Sequence, residues 1–148
     1  MRRIGLGSFI GLLAIGAVAT ACGSTGASTA ASSAPSAAEG SVAVELSEWK
    51  VVSTPATASA GSVTFDVTNK GTTIHEFVVV KTDLKADALP VADNKIDEST
   101  LTPVDEIEDV EVGATPTLTV DLEAGHYVLL CNIETHFEQG MHADFDVN

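Results

Sequence analysis

Three donor side chains near the C-terminal end constrain this chain more than any other feature. In residues 125–148, GHYVLLCNIETHFEQGMHADFDVN, Cys131, His136 and Met141 recur at five-residue intervals. The apolar run Tyr127, Val128, Leu129, Leu130 reads as a strand that ends at the cysteine. Ala143, Phe145 and Val147 alternate as a second strand after the methionine. Thiol, imidazole and thioether therefore share one loop between two strands, and such a loop can fold around a single ion. Sulfur donors suit copper, and imidazole suits it in both oxidation states. A trigonal copper site takes two imidazoles and one thiolate, with a weak axial thioether. The loop supplies three of these four. His75, in TNKGTTIHEFVVV, is the candidate for the second imidazole. Alone it reads as a core or edge histidine satisfied by backbone groups; beside the other three it completes a donor set.

The rest of the chain from Ser41 reads as strands of period two. Val42, Val44 and Leu46 alternate, and Trp49, Val51 and Val52 continue after a bend. Val63, Phe65 and Val67 alternate against Thr64, Asp66 and Thr68. Asn69-Lys70-Gly71 is a turn signal. The run from Ile74 to Val80 is almost continuously apolar, as a strand buried on both faces would be. Leu118, Val120 and Leu122 alternate again before the turn at Ala124-Gly125. Short strands at this spacing indicate an all-β sandwich. Residues 82–113 break the pattern. Asp83 to Leu89 suits a turn or two of helix, ended by Pro90. The acidic stretch that follows, from Asp93 to Glu111, is expected to be a solvated, irregular excursion. Its functional alternative is a docking surface for a basic partner, because charge clusters steer encounter.

The first residues have a different composition. Arg2 and Arg3 precede an apolar span at residues 4–18, the pattern of an export signal over residues 1–21. Ala19-Thr20-Ala21-Cys22 has the form of a lipoprotein processing site, which would make Cys22 the acylated first residue and anchor the protein to the extracytoplasmic side of a membrane. Residues 23–40, GSTGASTAASSAPSAAEG, hold no large apolar side chain and read as a flexible tether spanning roughly 25 Å. Residues 41–148 then form one domain. The chain has 21 acidic residues against 7 basic ones, a net charge of −14. That balance excludes nucleic acid as a partner, which needs basic patches. Export also makes a lone internal cysteine unusual, and a metal bond is one way to protect it.

The stretch from Ser41 to Asn148 resembles the small cupredoxins, the plastocyanin-like electron-transfer domains. The resemblance rests on Asn69-Lys70-Gly71, Ile74-His75-Glu76-Phe77, Gly125-His126-Tyr127-Val128, Cys131-Asn132, and His136 through Gly140-Met141. It implies a cupredoxin-like Greek-key sandwich holding one copper ion on His75, Cys131, His136 and Met141, the last as axial ligand. It also implies a monomer that carries single electrons between redox proteins, takes no small-molecule substrate and is not an enzyme. Glu76 stands where many members carry an asparagine that ties the two ligand-bearing segments together, and Asn132 is a second residue placed to hold the loop. Ile133-Glu134-Thr135 departs from the family in lacking Pro-Gly before the second histidine. The alternation of the strand turns His126 away from Cys131, and His142 points oppositely to Met141. The same ligands would also serve an exported copper-trafficking or copper-sequestering protein. A thiol enzyme using Cys131 with His136 as base is a further alternative, which lacks an evident orienting residue.

Overall fold

The computed structural model of the chain describes residues 40–148. The expected export signal, Cys22 and nearly all of the tether lie outside the described residues. In chain order the strands are β1 (Ser41–Ser47), β2 (Lys50–Thr54), β3 (Thr57–Ala58), β4 (Gly61–Asn69), β5 (His75–Lys81), β6 (Val91–Ala92), β7 (Lys95–Ile96), β8 (Thr102–Val110), β9 (Thr117–Leu122), β10 (Gly125–Leu130) and β11 (His142–Val147). Two short 3-10 turns, Ala86–Ala88 and Glu98–Thr100, lie between β5 and β8.

The strands form two facing sheets, in the orders β2-β1-β4-β9 and β3-β11-β10-β5-β8, with β6 and β7 as a separate hairpin. The expected all-β sandwich is the observed architecture. Most neighbours are antiparallel, but β1 runs parallel to β4, setting Val42 beside Phe65 and Val44 beside Val67. Alternation decides what lies between the sheets. Val42, Val44, Leu46, Val63, Phe65 and Val67 face inward from one sheet, and Phe77, Val79, Tyr127, Leu129, Phe145 and Val147 from the other. Phe65 is the centre of this layer, with ring centroids 5.4 Å from Phe77 and 5.5 Å from Phe145 in tilted and edge-on arrangements.

A second apolar cluster explains why β5 and β10 read as continuous hydrophobic runs. Their outward residues Val78, Val80, Val128 and Leu130 are covered by Ala86, Leu89, Ile96 and Phe137. Residues 82–101 therefore act as a lid on the outer face of the sheet. The Ala86 N–H donates to Asp144 on β11 at 2.9 Å, fastening that lid to the strand beneath.

One expectation is met and two are corrected. The turn or two of helix expected over Asp83–Leu89 is present as the single 3-10 turn Ala86–Ala88. The acidic excursion is not irregular throughout: residues Thr102–Val110 form a nine-residue edge strand paired with β5. Its side chains are almost all exposed, with Val110 buried and Ile107 half-buried, so the apolar signal of a strand is missing. Charged residues on an edge strand oppose pairing with further chains. Ile74, expected to begin the buried strand, is exposed, and burial begins at His75.

Phe65→Ala removes the ring that both sheets pack against and is expected to cost about 3–5 kcal/mol. Urea unfolding followed by tryptophan fluorescence should show a lower midpoint at unchanged slope.

Candidate metal centre

Asn69 determines where His75 lies. It is a buried polar residue at the end of β4, and its side chain is hydrogen-bonded to the next loop and to the end of β8. Its Nδ2 donates to the carbonyls of Thr73 and Val110, both at 2.8 Å, and its Oδ1 accepts from the Gly71 N–H at 2.8 Å. The chain is thereby bent through residues 70–74 and enters β5 with His75 fully buried. Gly71 is required by close approach: a Cβ there would stand 2.6 Å from both His75 Nε2 and Glu48 Oε1.

Cys131 follows directly on β10. It lies on the inward face with Tyr127 and Leu129, is fully buried, and is the free cysteine among the described residues. Its sulfur accepts from the Glu76 N–H at 3.3 Å, one residue beyond His75. Burial pushes the thiol pKa up, opposed by the N–H groups of Glu76 and Ile133. A bound cation reverses that preference, because a coordinating thiol is deprotonated.

The loop from Cys131 to Met141 closes on its own backbone. The His136 N–H donates to Ile133 at 2.9 Å, the Met141 N–H to His136 at 3.2 Å, and the Cys131 N–H to Met141 at 3.0 Å. The Thr135 N–H reaches Asn94 in the β6–β7 turn at 2.8 Å, so the lid also braces the loop. Met141 is fully buried in the same core cluster as Cys131.

These elements bring three donors together. His136 Nδ1 lies 3.4 Å from Cys131 Sγ and 3.4 Å from His75 Nδ1, and the three donor atoms all fall within 4.8 Å of one another. Atoms held at about 2.0–2.3 Å from one ion have separations of this size. Both histidine pKa values are lowered, each chiefly by burial; Glu48 opposes this at His75, and His75 adds to it at His136. Neutral imidazoles are the form that binds metal. Two imidazoles and one thiol with a buried methionine alongside fit a soft or borderline ion such as copper.

Glu76 and Asn132 join the surrounding segments, though not as a pair of matched amides. Burial, then Glu106 and Glu98, push the Glu76 carboxyl up to about 7. The backbone of Asn132 opposes the rise of the Glu76 pKa only slightly. The Asn132 side chain accepts from Ile96 N–H at 2.7 Å and donates to Ile96 O at 3.0 Å and Glu98 Oε1 at 2.5 Å. It thus pins the start of the loop to β7. The two other histidines stand apart from the centre. His126 sits between Thr82 O at 2.8 Å and Asp144 Oδ1 at 3.0 Å, and His142 packs on Phe137 with ring centroids 4.6 Å apart.

Two residues at the tip of the β1–β2 hairpin went unrecognised in the sequence. The Glu48 carboxylate accepts from the Thr72 N–H at 2.7 Å and the Thr73 N–H at 3.0 Å. These bonds, Thr72 first, hold its pKa down to about 2. Its Oε1 is also 3.4 Å from His75 Nε2. The Trp49 ring meets His136 edge-on with centroids 4.9 Å apart, while remaining partly exposed itself. A lone Glu-Trp in a bend carries no pattern that would mark it; only the return of the chain brings it to the centre.

No family model and no curated relative matches the chain. Solved structures do. A reduced auracyanin from the photosynthetic bacterium Roseiflexus castenholzii aligns at 20% identity over 74% of this chain and 97% of that one, with a TM-score of 0.54. Auracyanin A, described as a "blue" copper protein from the green thermophilic photosynthetic bacterium Chloroflexus aurantiacus, aligns at 22% identity over 74% and 100%, with a TM-score of 0.52. An azurin from the obligate methylotroph Methylomonas sp. strain J aligns at 14% identity over 75% and 99%, with a TM-score of 0.53. The chain has the cupredoxin fold that these proteins share.

Gly71→Ala forces His75 and Glu48 apart and is expected to cost about 1–3 kcal/mol, as overpacking does. Thermal unfolding of the metal-free chain should show a melting temperature lower by several degrees.

Proposed function

We propose that the chain is a mononuclear type 1 copper protein that carries single electrons between redox proteins outside the cytoplasm. The observation that carries this reading is the convergence of one donor atom each from His75, Cys131 and His136 within 4.8 Å in a cupredoxin fold. Copper bound there would supply a one-electron couple, Cu(I)/Cu(II). His75, Cys131 and His136 would hold it, with the Met141 thioether as a further, weaker donor.

The contribution of the chain is rigidity and exclusion of water. His75 is fixed by the Asn69 turn, Cys131 by the end of β10 and the Glu76 N–H, and Met141 by the core. Donors clamped in this way rearrange little on a change of charge, so the reorganisation cost of electron transfer is small. His75, Cys131 and Met141 are buried, whereas His136 keeps part of its ring exposed. His136 is thus the donor through which an electron passes to a partner. With four protein donors, no position is offered to a substrate, which favours a carrier over an enzyme. Burial favours a carrier over a trafficking protein too, since an exchanging site needs access to its ion. The raised pKa and complete burial of Cys131 disfavour a thiol nucleophile.

The acidic surface suits a partner with a basic face and gives the encounter a dependence on ionic strength. Cys22 would tie the domain to the extracytoplasmic membrane face through two acyl chains, and residues 23–40 would let it turn between partners.

Adding Cu(II) to the purified chain should produce an intense thiolate-to-copper visible band and narrow copper hyperfine splitting in EPR. Cys131→Ser should abolish both, and a colour that survives this change would overturn the assignment. In a producing bacterium, Cys22→Ser should move the protein from the detergent phase to the aqueous phase on partitioning. An unchanged distribution would refute the lipid anchor.

A further inference from the structure

One polar atom beside the centre lacks a closed hydrogen bond. His75 Nε2 is fully buried and has no hydrogen-bond partner among the described residues. The polar atom facing it is Glu48 Oε1, at 3.4 Å, which is long for a hydrogen bond. The other ring nitrogen, Nδ1, is the one turned to His136, at 3.4 Å from its Nδ1. A neutral imidazole carries one proton, and whichever nitrogen holds it cannot be a metal ligand. Something must keep that proton on Nε2.

We propose that Glu48 is a positioning residue for the metal centre: its carboxylate holds the Nε2 proton of His75, leaves Nδ1 bare as the ligand, and biases the centre towards the more highly charged state of the ion. The proposal rests on the copper reading given above for its second half only; the control of the proton is a property of the metal-free chain.

Three features of the fold support it. Glu48 is held from the loop that delivers His75, by the N–H groups of Thr72 and Thr73 at 2.7 and 3.0 Å and the Thr73 hydroxyl at 3.2 Å. Carboxylate and imidazole therefore move as one body. The backbone has no side chain where they meet, since a Cβ on Gly71 would collide with both at 2.6 Å. And His75 Nε2 has no hydrogen-bond partner among the described residues, so no second acceptor competes with Glu48 for its proton. A carboxylate behind a metal-bound imidazole fixes the ring and raises its basicity, and losing such a partner costs about 10–100-fold in metal affinity. The negative charge favours Cu(II) over Cu(I), so it lowers the reduction potential.

Two variants separate this from a simple brace for the loop. Glu48→Gln keeps an acceptor oxygen for Thr72, Thr73 and His75 but removes the charge. Glu48→Ala removes both. In the metal-free full chain, nitrogen NMR of His75 should show the Nε2–H form in the parent and in Glu48→Gln, and a mixture of tautomers in Glu48→Ala. With copper bound, Glu48→Gln should raise the reduction potential, by 59 mV for each tenfold loss of Cu(II) over Cu(I) affinity. An Nε2–H tautomer that persists in Glu48→Ala would overturn the positioning role. A potential that is the same in Glu48→Gln as in the parent would overturn the electrostatic role. If the parent chain takes up no copper, the electron-transfer reading fails, while the metal-free NMR comparison still decides whether Glu48 controls the proton of His75.

Discussion

The register between β5 and β10 is the constraint on which the rest depends. Leu130 lies opposite Val78, Leu129 opposite Val79, and Val128 opposite Val80. This pairing brings the start of β5 against the end of β10, where the Glu76 N–H reaches the Cys131 sulfur. A slip of one residue would turn every side chain of one strand to the other face. Cys131 would leave the inward layer, and His75 would lose it as a neighbour. The register resists slipping because both faces of both strands are buried, one against the Phe65 layer and the other under the lid.

That double burial links the supporting structure to the centre. The lid formed by residues 82–101 covers Val78, Val80, Val128 and Leu130, and its Asn94 and Ile96 also hold the loop from Cys131 to Met141 through Thr135 and Asn132. One segment thus seals the outer face of the sheet and fixes the loop that carries His136. The polar groups that make these joints, Asn69 and Asn132, are themselves buried and hydrogen-bonded at both the amide nitrogen and the amide oxygen. Removing either would strand backbone partners away from water, which costs more than the bond itself. Polar residues inside this sandwich therefore act as rivets around the donors, while the apolar layers supply most of the driving force.

Charge is arranged on the opposite principle. The acidic residues of β8 lie outside, on an edge where repulsion keeps further chains from adding to the sheet. Glu76, Glu98 and Glu106 come together beside it, and burial, then the charges of Glu106 and Glu98, push the Glu76 carboxyl up to about 7. Glu48 is the exception. It lies at the centre with its charge retained, because two backbone N–H groups are aimed at it.

Much of this was legible in the chain itself. Period-two alternation marked the strands that face the inner layer, since water on one side and core on the other select residues alternately. The even spacing of Cys131, His136 and Met141 marked the loop that sets His136 beside Cys131 and returns to the buried Met141, because one short loop can bring its two ends together. The position of Ile74 was misjudged because an apolar residue next to a buried strand looks the same inside or out. The strand β8 was missed because an exposed edge has no apolar face to print its period. Glu48 and Trp49 could not be found at all: nothing within the hairpin relates them to His75 and His136, which are 27 and 87 residues further along. The sequence by itself determined the class of fold and the kinds of donor. Only the tertiary structure decided which carboxylate and which ring stand behind the two imidazoles, because that depends on sheet packing between segments remote in the chain.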